Sequence, residues 1–260
     1  MRDRWFALDN IIETNKKFYD EYAQDYDVSR KGFYELEKER IQKDLGFFFQ
    51  GQVFPKVIVD VGCGTGFYAL NAVAMGAQEV HCVDISSGFL NTAKSQIEKK
   101  YPSVNVYTHQ MDLSSFITEK TEICNQTDLF LMGGVLQYVP GYDVVLQNLI
   151  QSAPRANYYI SSTIYPGIKV PVLEKALVTV DYALYRAIKN IPKAPKISYP
   201  KVTIGIEPEI LNQLFYQAGL HINFSRYTSF HTKIMSKLQQ KMSNIIPNMG
   251  SYFTLIACHN

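Results

Sequence analysis

The chain has 260 residues, 47% hydrophobic and 19% charged, which suits a globular protein of one good-sized domain with additions, or a small pair. Its apolar runs fall far short of a membrane span, the start Met1-Arg-Asp-Arg-Trp-Phe6 has no apolar signal region, and its four cysteines form no CxxC pair, so a membrane span, a secretory route and a zinc site are not expected. A net charge of +2 hides an asymmetry: residues 1–164 hold 15 Lys and Arg against 20 Asp and Glu, whereas residues 165–260 hold 11 against 4. The basic third is either a solvated face or a surface for an acidic substrate, a lipid surface or nucleic acid. Free thiols at Cys63, Cys82 and Cys258, in or beside apolar strands, point to a reducing, cytoplasmic compartment.

In chain order, Asn15–Asp27 has helical spacing, with Phe18, Tyr19, Tyr22, Ala23 and Tyr26 recurring and acids between them. A second helix is expected over Lys31–Leu45, with Phe33, Leu36, Ile41 and Leu45 inward and Gly46 as its stop. Phe47–Pro55 then reads as a loop. Lys56–Val61 is β-branched and apolar on both faces, the pattern of a strand covered on both sides in a parallel sheet. Gly62, Gly64 and Gly66 follow at spacing two, and Phe67–Met75 reads as a helix stopped by Gly76. Strand, glycine turn and helix together let a ligand approach bare backbone at the carboxyl edge of a sheet. A dinucleotide fingerprint wants its third glycine one residue later, where Phe67 stands, and Asp60 before the turn suits a cationic amine better than a pyrophosphate.

The stretch Asp60-Val-Gly-Cys-Gly-Thr-Gly66 resembles motif I of the class I S-adenosylmethionine-dependent methyltransferases, and Phe18-Tyr-Asp-Glu-Tyr-Ala-Gln-Asp-Tyr-Asp27 resembles the N-terminal signature of their small-molecule branch. The resemblance implies that the glycine loop (Gly62, Cys63, Gly64, Thr65, Gly66, with Asp60) wraps the methionine part of the cofactor. It also implies that the N-terminal helix closes over the cofactor, with Tyr19 and Tyr26 lining the pocket.

The chain beyond supports that expectation. Glu79–Asp84 reads as the second strand, ending on an acid that suits a ribose, with Ile85 beside it; Ser86 or Ser87 is the expected N-cap of a helix over Gly88–Lys100. Val104–Gln110 alternates as a third strand, and Met111-Asp112-Leu113 follows, Asp112 being placed to accept from the exocyclic amine of adenine. Thr127–Met132 is the fourth strand; Gly133 and Gly134 follow it, and Tyr138 stands where the family often has a histidine. There is no Asn-Pro-Pro-Tyr or Asp-Pro-Pro-Tyr here and no Pro-Cys, so a nucleic-acid base is a poor candidate acceptor. A helix over Tyr142–Ser152 and a fifth strand over Asn157–Thr163 complete the alternation.

The last third differs. Val172–Ile191 is strongly helical in period and suits a lid, a homodimer face or a membrane-surface helix, and Ile191–Val202 is an extended, proline-rich loop. Pro208–Ala218 is a helix between Pro at its start and Gly219 at its end, Leu220–Tyr227 and Ser251–Cys258 are strands, and Ile234–Ile245 is a further helix.

The expected fold is thus α/β: a doubly wound, mostly parallel seven-stranded sheet with an antiparallel last strand. A helical cap covers 1–50, the cofactor core 51–164, a helical insertion 165–206 after strand five, and the end of the sheet 207–260. The expected activity is methyl transfer from S-adenosyl-L-methionine to a small-molecule oxygen or nitrogen, with no metal and with Tyr19 and Tyr138 positioning the acceptor. The rivals are a protein or peptide methyltransferase with an acidic partner, a non-catalytic cofactor-binding module, and a nicotinamide-dependent reductase, which Phe67 disfavours.

Overall fold

A computed structural model describes residues 2–23, 26–163, 180–181, 183–184, 187, 206–228 and 252–259. Two helices lead in, α1 (Arg2–Tyr22) and α2 (Tyr26–Phe48). The core then alternates: β1 (Val57–Val61), α3 (Phe67–Met75), β2 (Glu79–Asp84), α4 (Ser87–Lys100), β3 (Asn105–Gln110), α5 (Leu113–Glu119), α6 (Thr121–Gln126) and β4 (Leu129–Gly133). A 3-10 turn at Leu136–Tyr138, α7 (Tyr142–Ser152), β5 (Asn157–Thr163), α8 (Pro208–Gln217), β6 (His221–Thr228) and β7 (Tyr252–Cys258) complete it.

The sheet order is β3-β2-β1-β4-β5-β7-β6, parallel from β3 through β5, with β7 antiparallel to both its neighbours. This is the expected seven-stranded topology, and the chain order reverses between β1 and β4. At such a switch point the loops leaving the carboxyl ends of neighbouring strands diverge and open a crevice. Val59 and Val61 pack on one face with Phe116, Leu146, Leu149 and Phe215, and Ile58 packs on the other with Ile41, Leu45, Ala69 and Ile97. Each fully buried Leu, Ile or Phe contributes about 1.5–3 kcal/mol by leaving water. The central strands are therefore fixed from both sides, and the crevice has a rigid floor.

Several boundaries differ from expectation for physical reasons. The single helix expected over Asn15–Asp27 is two: α1 starts back at Arg2 and ends at Tyr22, and α2 begins at Tyr26. The break brings Ala23 down on Gly88, where a glycine Cβ would lie 3.1 Å from the Ala23 Cβ, and puts Asp27 in the first turn of α2. Gly46 does not stop α2, because Phe48 packs into the core and meets Phe49 edge-on at 4.6 Å; tertiary packing carries the helix past the glycine. The helices α5 and α6 were not anticipated, although Asp112 before Leu113, Phe116 and Ile117 is an N-cap ahead of a helical apolar pattern. Of the expected helix at 172–191, only Val180, Asp181, Ala183, Leu184 and Ala187 are described, all helical; the expected dimer face and the helix at 234–245 otherwise lie outside the described residues.

Candidate active site

Four segments at the carboxyl edge of the sheet, with residues of α1, α2 and α4, enclose a cavity of about 400 Å³. The turn after β1 contributes Gly62 and Gly64; the end of β2 contributes Asp84 and Ile85; Met111, Asp112 and Leu113 come from the turn into α5; Gly133, Gly134, Val135 and Tyr138 come after β4. Ile12, Asn15 and Tyr19 of α1, with Tyr26 of α2, form the remaining wall, and Phe89 of α4 lies beneath Tyr19. A smaller cavity of about 70 Å³ shares Tyr19, Tyr26, Gly62, Gly64, Gly133, Gly134 and Tyr138 with the first, and adds Arg30, Tyr34, Cys63, Phe67 and Gln137.

The glycine turn is bent by the hydrogen bonds of its own backbone. Gly62 N and Cys63 N both donate to Val83 O, at 2.7 and 3.1 Å. Gly62 has φ +62°, and a Cβ there would run into the Val135 side chain, so glycine is required. Gly64 is different: its φ is +52°, but a Cβ would meet nothing within 4 Å, because the residue faces the cavity. Gly133 makes room in another way, since a Cβ would run into the Tyr68 ring.

Asp84 is the most constrained group of the floor. Oδ2 accepts from Gly64 N at 3.0 Å and Oδ1 from Ser86 N at 2.9 Å. Both oxygens are thus fixed by the backbone, and the residue lies on the cavity wall. Burial pushes its carboxyl up to about 6, against the pull of the backbone N–H groups of Ser86, Gly64 and Ile85. Asp112 is held in a comparable way: Oδ1 accepts from Ser114 N (2.9 Å) and Ser115 N (3.1 Å), and Oδ2 from Ser115 Oγ (2.8 Å). Asp112 is therefore the N-cap of α5, with one acceptor position left on Oδ2.

Four expected site residues do not line the main cavity. Asp60 is 1% exposed and lies under the loop, where its Oδ2 accepts from Ala69 N in the first turn of α3 at 2.9 Å. It anchors the positive end of that helix instead of facing an amine. Burial, then the repulsion of Asp84, raises its carboxyl to about 8, opposed by the Ala69 bond. Cys63 faces only the smaller cavity. Thr65 and Gly66 line neither: Thr65 Oγ1 donates to Asp27 Oδ1 at 2.5 Å, and Gly66 lets α3 approach Ala93.

Tyr19 and Tyr138 meet edge-on at 6.2 Å with their hydroxyls hydrogen-bonded, at the junction of the two cavities. Burial first, then Tyr138, raises the Tyr19 phenol far above its ordinary value, so it stays protonated at neutral pH. None of the histidines among the described residues lines either cavity. His81 and His109 pair at the sheet edge (Nδ1 to Nε2, 3.0 Å), and His221 starts the outer strand β6. Ile12, Asn15, Arg30, Tyr34, Val135 and Gln137 went unread as site residues. The helical spacings Ile12–Asn15–Tyr19 and Tyr26–Arg30–Tyr34 were the available signals.

Residues 58–153 match the family described as a Methyltransferase domain. A ribosomal protein L11 methyltransferase from Thermotoga neapolitana is 41% identical over 58 residues, covering 22% of this chain and 21% of that protein. The chain thus matches about a fifth of the length of that curated relative. Among solved structures, the magnesium protoporphyrin IX methyltransferase of Synechocystis PCC 6803 with bound SAH aligns over 95% of this chain and 100% of that one, at 15% identity and a TM-score of 0.59. The plantazolicin methyltransferase, in complex with a triazolic desmethylPZN analog and SAH, aligns over 97% and 99%, at 12% identity and a TM-score of 0.54. At such identities the two structures speak for the fold alone, and the match to a methyltransferase domain covers residues 58–153, less than half of the chain.

Proposed function

We propose that this chain transfers a methyl group from S-adenosylmethionine to a small, largely apolar acceptor. The observation that carries this reading is Asp84, fixed by backbone N–H groups on the cavity wall at the end of β2, where a carboxylate can accept from the adjacent hydroxyls of a ribose. The rest of the wall fits the same ligand. Leu113 N, at the first position of α5, can donate to an adenine ring nitrogen, and the position left on Asp112 Oδ2 can accept from its amine. Ile85 and Met111 supply apolar cover. Gly62 and Gly64 let the backbone approach the methionine part, and Arg30 and Tyr34 in the smaller cavity offer donors for its carboxylate.

When bound, the cofactor supplies an electrophilic methyl on a cationic sulfur. The protein's own contribution is alignment: holding an acceptor in attack geometry is worth several kcal/mol, of the order of 7–11 kcal/mol at best. The Tyr19–Tyr138 pair stands where the two cavities join and bounds the space an acceptor can enter. Because Tyr19 stays protonated, it orients by donating a hydrogen bond and does not remove a proton. A small acceptor is favoured over a polypeptide because α1 covers the cavity from Ile12 to Tyr19. The acidic-partner alternative leans on the basic residues of 165–260, most of which lie outside the described residues.

Calorimetry with S-adenosylmethionine and S-adenosylhomocysteine, followed by turnover on a panel of small phenols, amines and carboxylates and on a mixed polypeptide substrate, tests the reading. Binding with turnover on a small molecule is the expected result. Turnover only on polypeptide selects the rival; binding with no turnover selects a non-catalytic module. Absence of binding, with tight NADH binding in its place, rejects the cofactor.

A further inference from the structure

Val180, Ala183, Leu184 and Ala187 are helical and all four are exposed, Val180 at 58% and Leu184 at 52%. Their spacing of i, i+3, i+4 and i+7 puts them on one face of the helix, so an apolar stripe meets water. Asp181, between them in sequence, is 1% exposed, so the acid is withdrawn from that face. We propose that this stripe lies on an anionic lipid surface. No described helix is long and apolar enough to cross a membrane, so the contact is with the surface and is not a span.

Exposure and charge separate this occupant from two others. A lid would turn its apolar face to the cavity, yet none of the four residues lines either cavity. A second copy would bring like charge against like charge, since across a two-fold axis the same patch meets itself. Residues 165–206 hold seven Lys and Arg against two Asp and Glu, and one of those acids is the buried Asp181. An anionic leaflet is the partner that such an excess attracts, by roughly fivefold in affinity for each Lys or Arg held near it. Two of the cations are tethered close to the stripe whatever path the chain takes. Arg186 is bonded to Ala187, and Lys189 is two residues further on, within about 8 Å at about 3.8 Å per residue, which is about one Debye length at physiological salt. A lipid surface is also where a largely apolar acceptor collects, but the inference does not rest on the proposed function, because vesicle binding is read without cofactor or acceptor.

The test is flotation of the full chain with vesicles of phosphatidylcholine alone and of phosphatidylcholine mixed equally with phosphatidylserine. The wild type should bind the mixed vesicles roughly tenfold more tightly than the neutral ones, and should lose that preference in high salt. Val180→Ser combined with Leu184→Ser should bind the mixed vesicles roughly tenfold more weakly than the wild type does. Its affinity for S-adenosylhomocysteine should be unchanged, since neither residue lines a cavity. A wild type that binds neither vesicle, or both alike, overturns the inference, as does unchanged vesicle binding in the double variant. Concentration-dependent dimerisation of the wild type that the double variant abolishes overturns it in favour of a second copy. Should the double variant fail to fold, the preference of the wild type for the mixed vesicles and its loss in salt decide alone. A wild type that binds vesicles but not S-adenosylhomocysteine rejects the proposed function and leaves this inference standing.

Discussion

The floor and the roof of the cavity are built by different means. On the floor, Asp84 is gripped by two backbone N–H groups, Gly62 and Cys63 donate to a strand carbonyl, and Gly62 is wedged against Val135. These positions follow from the register of a sheet buried on both faces and cannot shift singly. The roof is held by side chains: Ser86 Oγ donates to Asp20 Oδ1 at 2.6 Å, Thr65 Oγ1 and Gln96 Nε2 donate to Asp27, and aromatic rings from α1 and α2 meet at about 5–6 Å. Such contacts contribute about 0.5–1.5 kcal/mol each and are separately replaceable. On the proposed function the two parts have distinct work: the floor decides whether the cofactor binds, and the roof tunes how well it is enclosed.

The sharpest way to break that division is a pair of glycine variants. Gly62→Val sets a side chain into Val135 at a positive φ, and should cost several kcal/mol in urea unfolding together with all S-adenosylhomocysteine binding. Gly64→Val meets no atom within 4 Å, so its fold should lose only about 1–2 kcal/mol of backbone strain while calorimetry still finds no binding. Retained affinity in Gly64→Val would mean that the loop does not touch the ligand, and the floor would lose its assigned role.

Asp84 comes next. Asp84→Ala removes the charged acceptor proposed for the ribose hydroxyls and should weaken S-adenosylhomocysteine by about 100-fold or more, at roughly 1.5–3 kcal/mol per hydrogen bond. The wild type should show the same dependence through pH. The folded carboxyls of Asp84 (about 6) and Asp60 (about 8) are raised, so their contribution to stability is fully present below the unfolded carboxylate value and is lost as pH rises through about 6 and then about 8. Ligand affinity should move the opposite way. An ionised Asp84 is the stronger acceptor, so S-adenosylhomocysteine should bind more tightly at pH 7.5 than at about pH 5. Titration calorimetry and urea melts at the two pH values check both signs, and a flat affinity profile would remove Asp84 from the binding wall.

Most of the floor was legible in the sequence and much of the roof was not, for the same physical cause. A buried parallel strand announces itself as Val57-Ile-Val, and the turn after it needs glycine at Gly62 whatever else the chain does. Asp84 and Asp112, proposed to meet the ribose and the adenine, stand at strand ends that periodicity locates. The sequence misleads at Asp60, where an acid before a glycine turn suits an amine equally well in composition, and only the helix packed above shows that Ala69 takes it. The roof depends on where one long amphipathic stretch breaks. Nothing local at Ala23-Gln24-Asp25 distinguishes a continuous helix from two, and the break is set by the close approach of Ala23 to Gly88, 65 residues away. The expected helix starts at Asn15 and the observed one at Arg2, so Ile12 falls outside the stretch expected to line the pocket.

The smallest expected effects are on the roof, and they decide whether it is a separate part at all. Asp27 joins the start of α2 to the glycine loop through Thr65 and to α4 through Gln96. Asp27→Ala should weaken S-adenosylhomocysteine by about threefold to tenfold, and Gln96→Ala, which removes the more peripheral bond, by about twofold to threefold. Combined, Asp27→Ala and Thr65→Ala should lose less than the sum of the two, with a coupling of about 0.5–1.5 kcal/mol, because they delete one shared contact. Ligand-free thermal unfolding should change little for all three variants, since the buried core under α2 rests on Ile41 and Leu45 and not on Asp27. If Asp27→Ala lost as much affinity as Asp84→Ala, enclosure and recognition would be one cooperative event, and the roof would be part of the floor's machinery.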